Sequence, residues 1–131
     1  MLEAAVMCLA MNMYHEARGE GIRAMMAVAE VTMNRVESNK FPNNVCDVVK
    51  HNKYQDSLHK CQFSWYCDGK SDNMYDVHWR DNAIELAVDY MTGLDTNFTD
   101  GATHYHATYV NPSWNKSFTK TVTIGSHIFY K

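Results

Sequence analysis

Apolar residues recur at helical spacing from the start of the chain. Leu2, Ala5, Val6, Leu9 and Met13 lie on one stripe, and the next position on that stripe is a carboxylate, Glu16. The spacing predicts a first helix from about Leu2 to about Glu16. Gly19 and Gly21 interrupt it, and Ile22, Met25, Met26, Ala29, Met33 and Val36 mark the inner face of a second helix. The two helices meet at EARGEG. After the turn-like SNKFPNN, Val45, Val48 and Val49 predict a short third helix, and 51–71 reads as irregular and polar apart from QFSWY. Val77, Ile84, Ala87, Val88 and Met91 trace a fourth helix ending at Gly93. The pattern then changes. HYHATYV, FTKTVTI and HIFYK are rich in β-branched and aromatic residues, and Gly125 and Ser126 can form a two-residue hairpin turn between the last two. The expected fold class is α+β: a mainly helical part followed by a small antiparallel β-sheet.

Composition narrows the classes. Residues 1–131, at 46% hydrophobic and 21% charged, suit a single domain with one core, and a monomer is expected. The formal charge of -3 argues against a nonspecific nucleic-acid binder, which would carry a basic face. No apolar run approaches the ~20 residues that cross a bilayer, and MLEAAVMCLAMNMY contains Glu3 and no basic leader, so neither membrane association nor a signal peptide is expected. No repeat or low-complexity stretch is present. Cys8, Cys46, Cys61 and Cys67 allow three complete pairings, between which the sequence does not choose.

The chemistry centres on Glu16. A carboxylate on an apolar stripe at the end of a helix is partly desolvated and faces the negative end of the helix dipole; both effects raise its pKa towards the range where a neutral acid donates a proton near neutral pH. Glycoside cleavage needs such an acid, because the leaving oxygen must be protonated as positive charge develops on the sugar. The competing structural reading pairs Glu16 with Arg18 or His15 in the turn between helices. Glu20, just before the second helix, reads as a structural cap. Arg18 reads as an orienting partner for a carboxylate or for substrate. A zincin site fails because Gly19 stands where H-E-x-x-H needs its second histidine. His104 and His106 share a strand face but have no third ligand of suitable spacing, so no metal and no cofactor is expected.

EARGE, a following helix that ends in VTMNRV, then FPNNVCDVV, QFSW, a histidine- and tyrosine-rich strand, NPSW and the terminal IGSHIFYK together resemble the SleB/CwlJ cell wall hydrolase family, in order along nearly the whole chain. The resemblance implies a lysozyme-like catalytic domain that cuts peptidoglycan between N-acetylmuramic acid and N-acetylglucosamine by lytic transglycosylation. It places the family's catalytic acid/base on Glu16. Hydrolysis, the alternative, normally needs a second carboxylate about 5–5.5 Å away for retention or about 6.5–9.5 Å for inversion. Asp68, Asp72 and Glu20 are the candidates near motifs, and none is persuasively placed; Asp68 in CDGK reads as a turn residue. A noncatalytic glycan-binding module is the alternative of a different class.

A glycan groove wants aromatic platforms beside amide and hydroxyl groups. Phe63, Trp65, Tyr105 and Trp114 are the platform candidates, and Gln62, Ser64, His104 and His106 the polar ones; about half of these are expected to be structural, since aromatics at alternate positions are more often core. Cys61 and Cys67 bracket QFSWY in a departure from the spore enzymes, and a Cys61–Cys67 disulfide would pin that loop in an oxidising compartment. Cys8 is expected to be a small core residue. A catalytic domain of this kind, without leader or wall-binding module, resembles an endolysin or virion-associated enzyme of a bacteriophage, or a fragment of a longer protein, acting on the bacterial cell wall.

Overall fold

The computed structural model describes residues 2–51 and 61–131, and part of the stretch expected to be irregular, 52–60, lies outside the described residues. Helix α1 (Leu2–Ala17) is followed by a 3₁₀ turn over Arg18–Glu20, then α2 (Ile22–Glu37), the short α3 (Val45–Val49), a second 3₁₀ turn over Ser64–Cys67 and α4 (Val77–Met91). Strands β1 (His104–Ala107), β2 (Lys120–Ile124) and β3 (His127–Tyr130) form one antiparallel sheet in the order β1-β3-β2, with a 3₁₀ turn over Ser113–Ser117 between β1 and β2. The architecture is the expected α+β one. Among the described residues no helix is long and apolar enough to cross a membrane.

The stripe on α1 buries Leu9 and Met13 fully, against Met25, Val28 and Ala29 of α2, Val48 and Val49 of α3 and Ala83 and Ala87 of α4. Of the apolar residues that mark the helices in the sequence, Leu2, Ile22, Val77 and Val88 sit exposed; the first three lie in the first turn of their helices, whereas Val88 lies within α4 on its solvent side. Helix α2 is buried on two sides rather than one. Its second face presents Ala27 and Val31 to Ala102 and Phe129, with Tyr105, Val122 and Ile124 packed around them. Ala27 and Val31 lie outside the stripe that the larger apolar residues of α2 mark, so the periodicity did not show this face.

Strand β1 is shorter than HYHATYV because its partner is short: His104 pairs with Tyr130 and Ala107 with His127, and the chain then turns, with the Val110 N–H donating to the Ala107 carbonyl at 3.1 Å. Asn44 caps α3 by accepting from the Asp47 N–H, and Asp76 caps α4 by accepting from the Trp79 N–H. Two disulfides are present, Cys61–Cys67 and Cys8–Cys46. Cys8 is buried, as a core residue would be, but it is also covalently tied to α3, which periodicity could not show. In the chain-entropy picture, closing the 38-residue separation stabilises the domain by about 4 kcal/mol.

The hairpin turn sits at Gly125 and Ser126, and Gly125 has φ 57°. A Cβ there would stand 2.5 Å from Glu20 Oε1. Gly125→Ala is therefore expected to destabilise the fold by about 1–2 kcal/mol, from the left-handed backbone and the displaced carboxylate together. In urea melts Glu20→Ala should relieve part of that cost, so a strictly additive double mutant would refute the clash.

Candidate active site

Glu16 lies in the last turn of α1, and its carboxylate accepts a hydrogen bond from the Tyr105 hydroxyl of β1. Burial pushes the Glu16 pKa up, while the Tyr105 hydrogen bond and the charge of Arg35 pull it down; the net direction is up. Burial likewise holds the Tyr105 hydroxyl well above its ordinary value, with the Glu16 charge adding to the effect, so Tyr105 remains a donor.

Arg35, near the end of α2, is buried to 5% exposure. Its Nε donates to the Thr103 carbonyl at 2.7 Å and its Nη1 to Gln62 Oε1 at 3.4 Å. Phe41 and Phe63 flank the guanidinium, with ring centroids 4.8 Å and 5.2 Å from it. Burial lowers the Arg35 pKa, offset by Tyr105 and Glu16, but a guanidinium stays cationic throughout the working range. Arg35 was not among the sequence-derived site residues. The available signal was an arginine inside a helix otherwise rich in apolar residues, a position that demands a partner.

Glu20 has a role other than capping. The N-cap of α2 is Gly21, and no side chain caps that helix. Glu20 instead reaches the hairpin, where Oε1 accepts from the Ser126 N–H at 2.6 Å and the Ser126 hydroxyl at 2.7 Å, and Oε2 lies 3.4 Å from His127 Nδ1. Burial alone would raise its pKa, but the Ser126 donors and His127 outweigh it and hold the carboxyl low.

Glu16, Arg18, Glu20, His15, Trp65 and Asp68 line a cleft of about 500 Å³. Arg18 is exposed, its guanidinium 4.5 Å from the centre of the Tyr14 ring. It makes no ion pair with Glu16. Trp65 contributes to the wall but is itself buried: its Nε1 donates to Asn12 Oδ1 at 2.8 Å and its ring stacks on His15 at 4.7 Å. Phe63 is buried against Arg35, Gln62 bonds to Arg35, and Ser64 is exposed in the 3₁₀ turn.

The strand register separates the remaining candidates. Tyr105 is opposite Phe129 and faces α2, whereas His104 is opposite Tyr130 and His106 opposite Ile128, so both histidines point to the other face of the sheet. Trp114 packs there, 5.5 Å from His104 and from Tyr130 and 5.6 Å from His106. His106 has both ring nitrogens engaged, Nε2 with the Tyr130 hydroxyl at 2.7 Å and Nδ1 with the Ala107 carbonyl at 2.8 Å. The His104 pKa is pushed down to about 4, by burial and then by Arg35, leaving the ring neutral. His104, His106 and Trp114 thus form an aromatic layer behind the sheet and do not converge with Glu16. An even-numbered difference along a strand keeps side chains on one face, and the sequence alone could not say which face held the cleft.

Fold and site together define an α+β, lysozyme-like domain that presents one shielded carboxylic acid in an open cleft. A model of the cell wall hydrolase family, Hydrolase_2, matches residues 19–130, and the chain belongs to that family. The spore cortex-lytic enzymes of Halalkalibacterium halodurans and Bacillus subtilis are 30% and 28% identical over 95% and 92% of this chain. The chain spans about a third of each of those proteins, 34% and 35%. Among solved structures, the catalytic domain of the germination-specific lytic transglycosylase SleB from Bacillus anthracis superposes with a TM-score of 0.74 at 29% identity, covering 97% of this chain and 93% of that one. The catalytic domain of Bacillus cereus SleB gives 0.70 at 26% identity, covering 98% and 91%.

Proposed function

We propose that this chain is a peptidoglycan-cleaving lytic transglycosylase domain in which Glu16 is the single acid/base. The observation that carries the reading is the opposed pair of influences on Glu16. Burial pushes the carboxyl pKa up and so favours the protonated form, which donation to the glycosidic oxygen between N-acetylmuramic acid and N-acetylglucosamine requires. The Tyr105 hydroxyl and the Arg35 charge then stabilise the carboxylate that donation leaves behind. That carboxylate accepts the proton of the muramoyl C6 hydroxyl as the C6 oxygen attacks the anomeric carbon. The step closes a 1,6-anhydro ring, restores the neutral acid and consumes no water.

The other cleft carboxylates are less suited to a second catalytic role. Glu20 is engaged by Ser126 and His127, and Asp68 Oδ1 accepts from the Lys70 N–H at 2.9 Å within its own turn. Similarity to the SleB catalytic domains supports the same reading. The test is mass spectrometry of soluble products from purified peptidoglycan. Fragments ending in 1,6-anhydromuramic acid are expected. Reducing ends would replace transglycosylation by hydrolysis and direct attention to Asp68, and wall binding without any product would leave a noncatalytic glycan module.

Tyr105→Phe tests the electrostatics. Removing a donor to the carboxylate raises the Glu16 pKa further, so the alkaline limb of kcat/KM, where the acid loses its proton, should move to higher pH. The maximal rate should fall about tenfold or more, because the departing proton leaves a less stabilised anion. An unmoved limb would mean that Tyr105 does not act on Glu16.

A further inference from the structure

A second cleft, of about 560 Å³, adjoins the first and shares His15, Arg18 and Asp68 with it. Its far wall is formed by Lys70, Ser71, Asn73, Tyr75 and Asp76. Tyr75 on that wall is 73% exposed. An exposed ring alone carries no meaning, but this one is tethered: its hydroxyl lies 3.2 Å from Ser71 Oγ and accepts from Asn73 Nδ2 at 3.1 Å. A ring fixed in this way offers its face to a ligand with little further loss of side-chain freedom.

The wall is also fixed relative to Glu16. The two residues that precede Glu16 on α1 both bond to it: the Asp76 N–H donates to the Tyr14 hydroxyl at 2.8 Å, and His15 Nε2 meets the Asp72 carbonyl at 2.8 Å. Any ligand seated on Tyr75 is thereby held in register with the acid. Charge in the cleft is balanced, with Arg18 and Lys70 against Asp68 and Asp76. A balanced, hydrogen-bonding wall beside an aromatic face suits a neutral sugar better than an anionic peptide.

We propose that this second cleft is a saccharide subsite, with Tyr75 as its stacking platform, that takes a neutral N-acetylated sugar of the strand whose bond is broken at Glu16. The inference rests on the glycan-cleaving reading above and adds where the flanking strand lies.

The test uses soluble glycan strands from which an amidase has removed the peptide stems. In calorimetry with the Glu16→Gln protein, adding Tyr75→Ala should weaken strand binding about tenfold, or about 1.4 kcal/mol. In the otherwise native protein the same substitution should raise KM on these strands by a similar factor, with the loss in KM rather than kcat. Because Tyr75 is exposed, an unchanged melting temperature would show that the fold is intact. Equal affinities with and without Tyr75 overturn the proposal, and so does a Tyr75 effect seen only on stem-bearing strands, which would place the peptide in the cleft. If the native protein releases no product yet Tyr75-dependent strand binding persists, the transglycosylase reading fails and the subsite stands.

Discussion

Glu16→Gln is expected to lower kcat on peptidoglycan by about a thousandfold or more, since it removes both the proton donated to the leaving oxygen and the base that accepts the C6 proton. Glutamine keeps the shape and can still accept from Tyr105, so KM should change little. The same substitution has a stability signature of opposite sign. The folded-state pKa of Glu16 is raised, so its contribution to stability is fully present below the ordinary value of 4.5 and is lost as pH rises through the folded value. Near pH 4 the two proteins should therefore melt alike; with rising pH the native protein should fall behind Glu16→Gln. A melting difference that does not depend on pH would contradict the shielded-acid account. Retained activity in the variant would remove Glu16 from the mechanism altogether.

The second large effect is structural. Glu30 of α2 is buried to 3% exposure. Its Oε2 accepts from the Thr96 hydroxyl at 2.6 Å and the Phe98 N–H at 2.7 Å, and its Oε1 accepts from the Thr99 hydroxyl at 2.8 Å and N–H at 2.9 Å. One carboxylate thus organises the connection between α4 and β1. Glu30→Ala strands at least the two backbone donors, and the expected loss is about 3 kcal/mol or more out of the ~5–15 kcal/mol typical of a domain. Urea melts measure it directly. Glu30→Gln, which keeps one acceptor oxygen, should fall between native and Ala. Because β1 begins at His104 and carries Tyr105, activity should fall in parallel with stability; a loss under about 1 kcal/mol would show that the loop holds without Glu30.

Glu30 and Arg35 illustrate where the sequence stopped being informative. Both sit on α2, whose large apolar residues marked one buried face. The opposite face is built from Ala27 and Val31, and its burial depends on a sheet more than 60 residues further along the chain. Nothing within α2 announces that sheet, so the partners of Glu30 and Arg35, which fasten the helix to the sheet and to the loop before it, cannot be read from the helix itself.

By itself, the sequence determined the helices almost to the residue, the hairpin turn at Gly125 and Ser126, the α+β class and the position of the Glu16 carboxylate at the end of the first apolar stripe. These are local properties, set by spacing, glycine placement and side-chain branching within a few turns of chain. Tertiary structure decided the rest. It brought Tyr105 and Arg35 to Glu16, turned His104, His106 and Trp114 to the far side of the sheet, paired Cys8 with Cys46 and drew Glu20 to the hairpin instead of the helix it precedes. Each of these depends on the face a strand presents or on contacts between segments distant in sequence, and neither periodicity nor motif spacing encodes which faces meet.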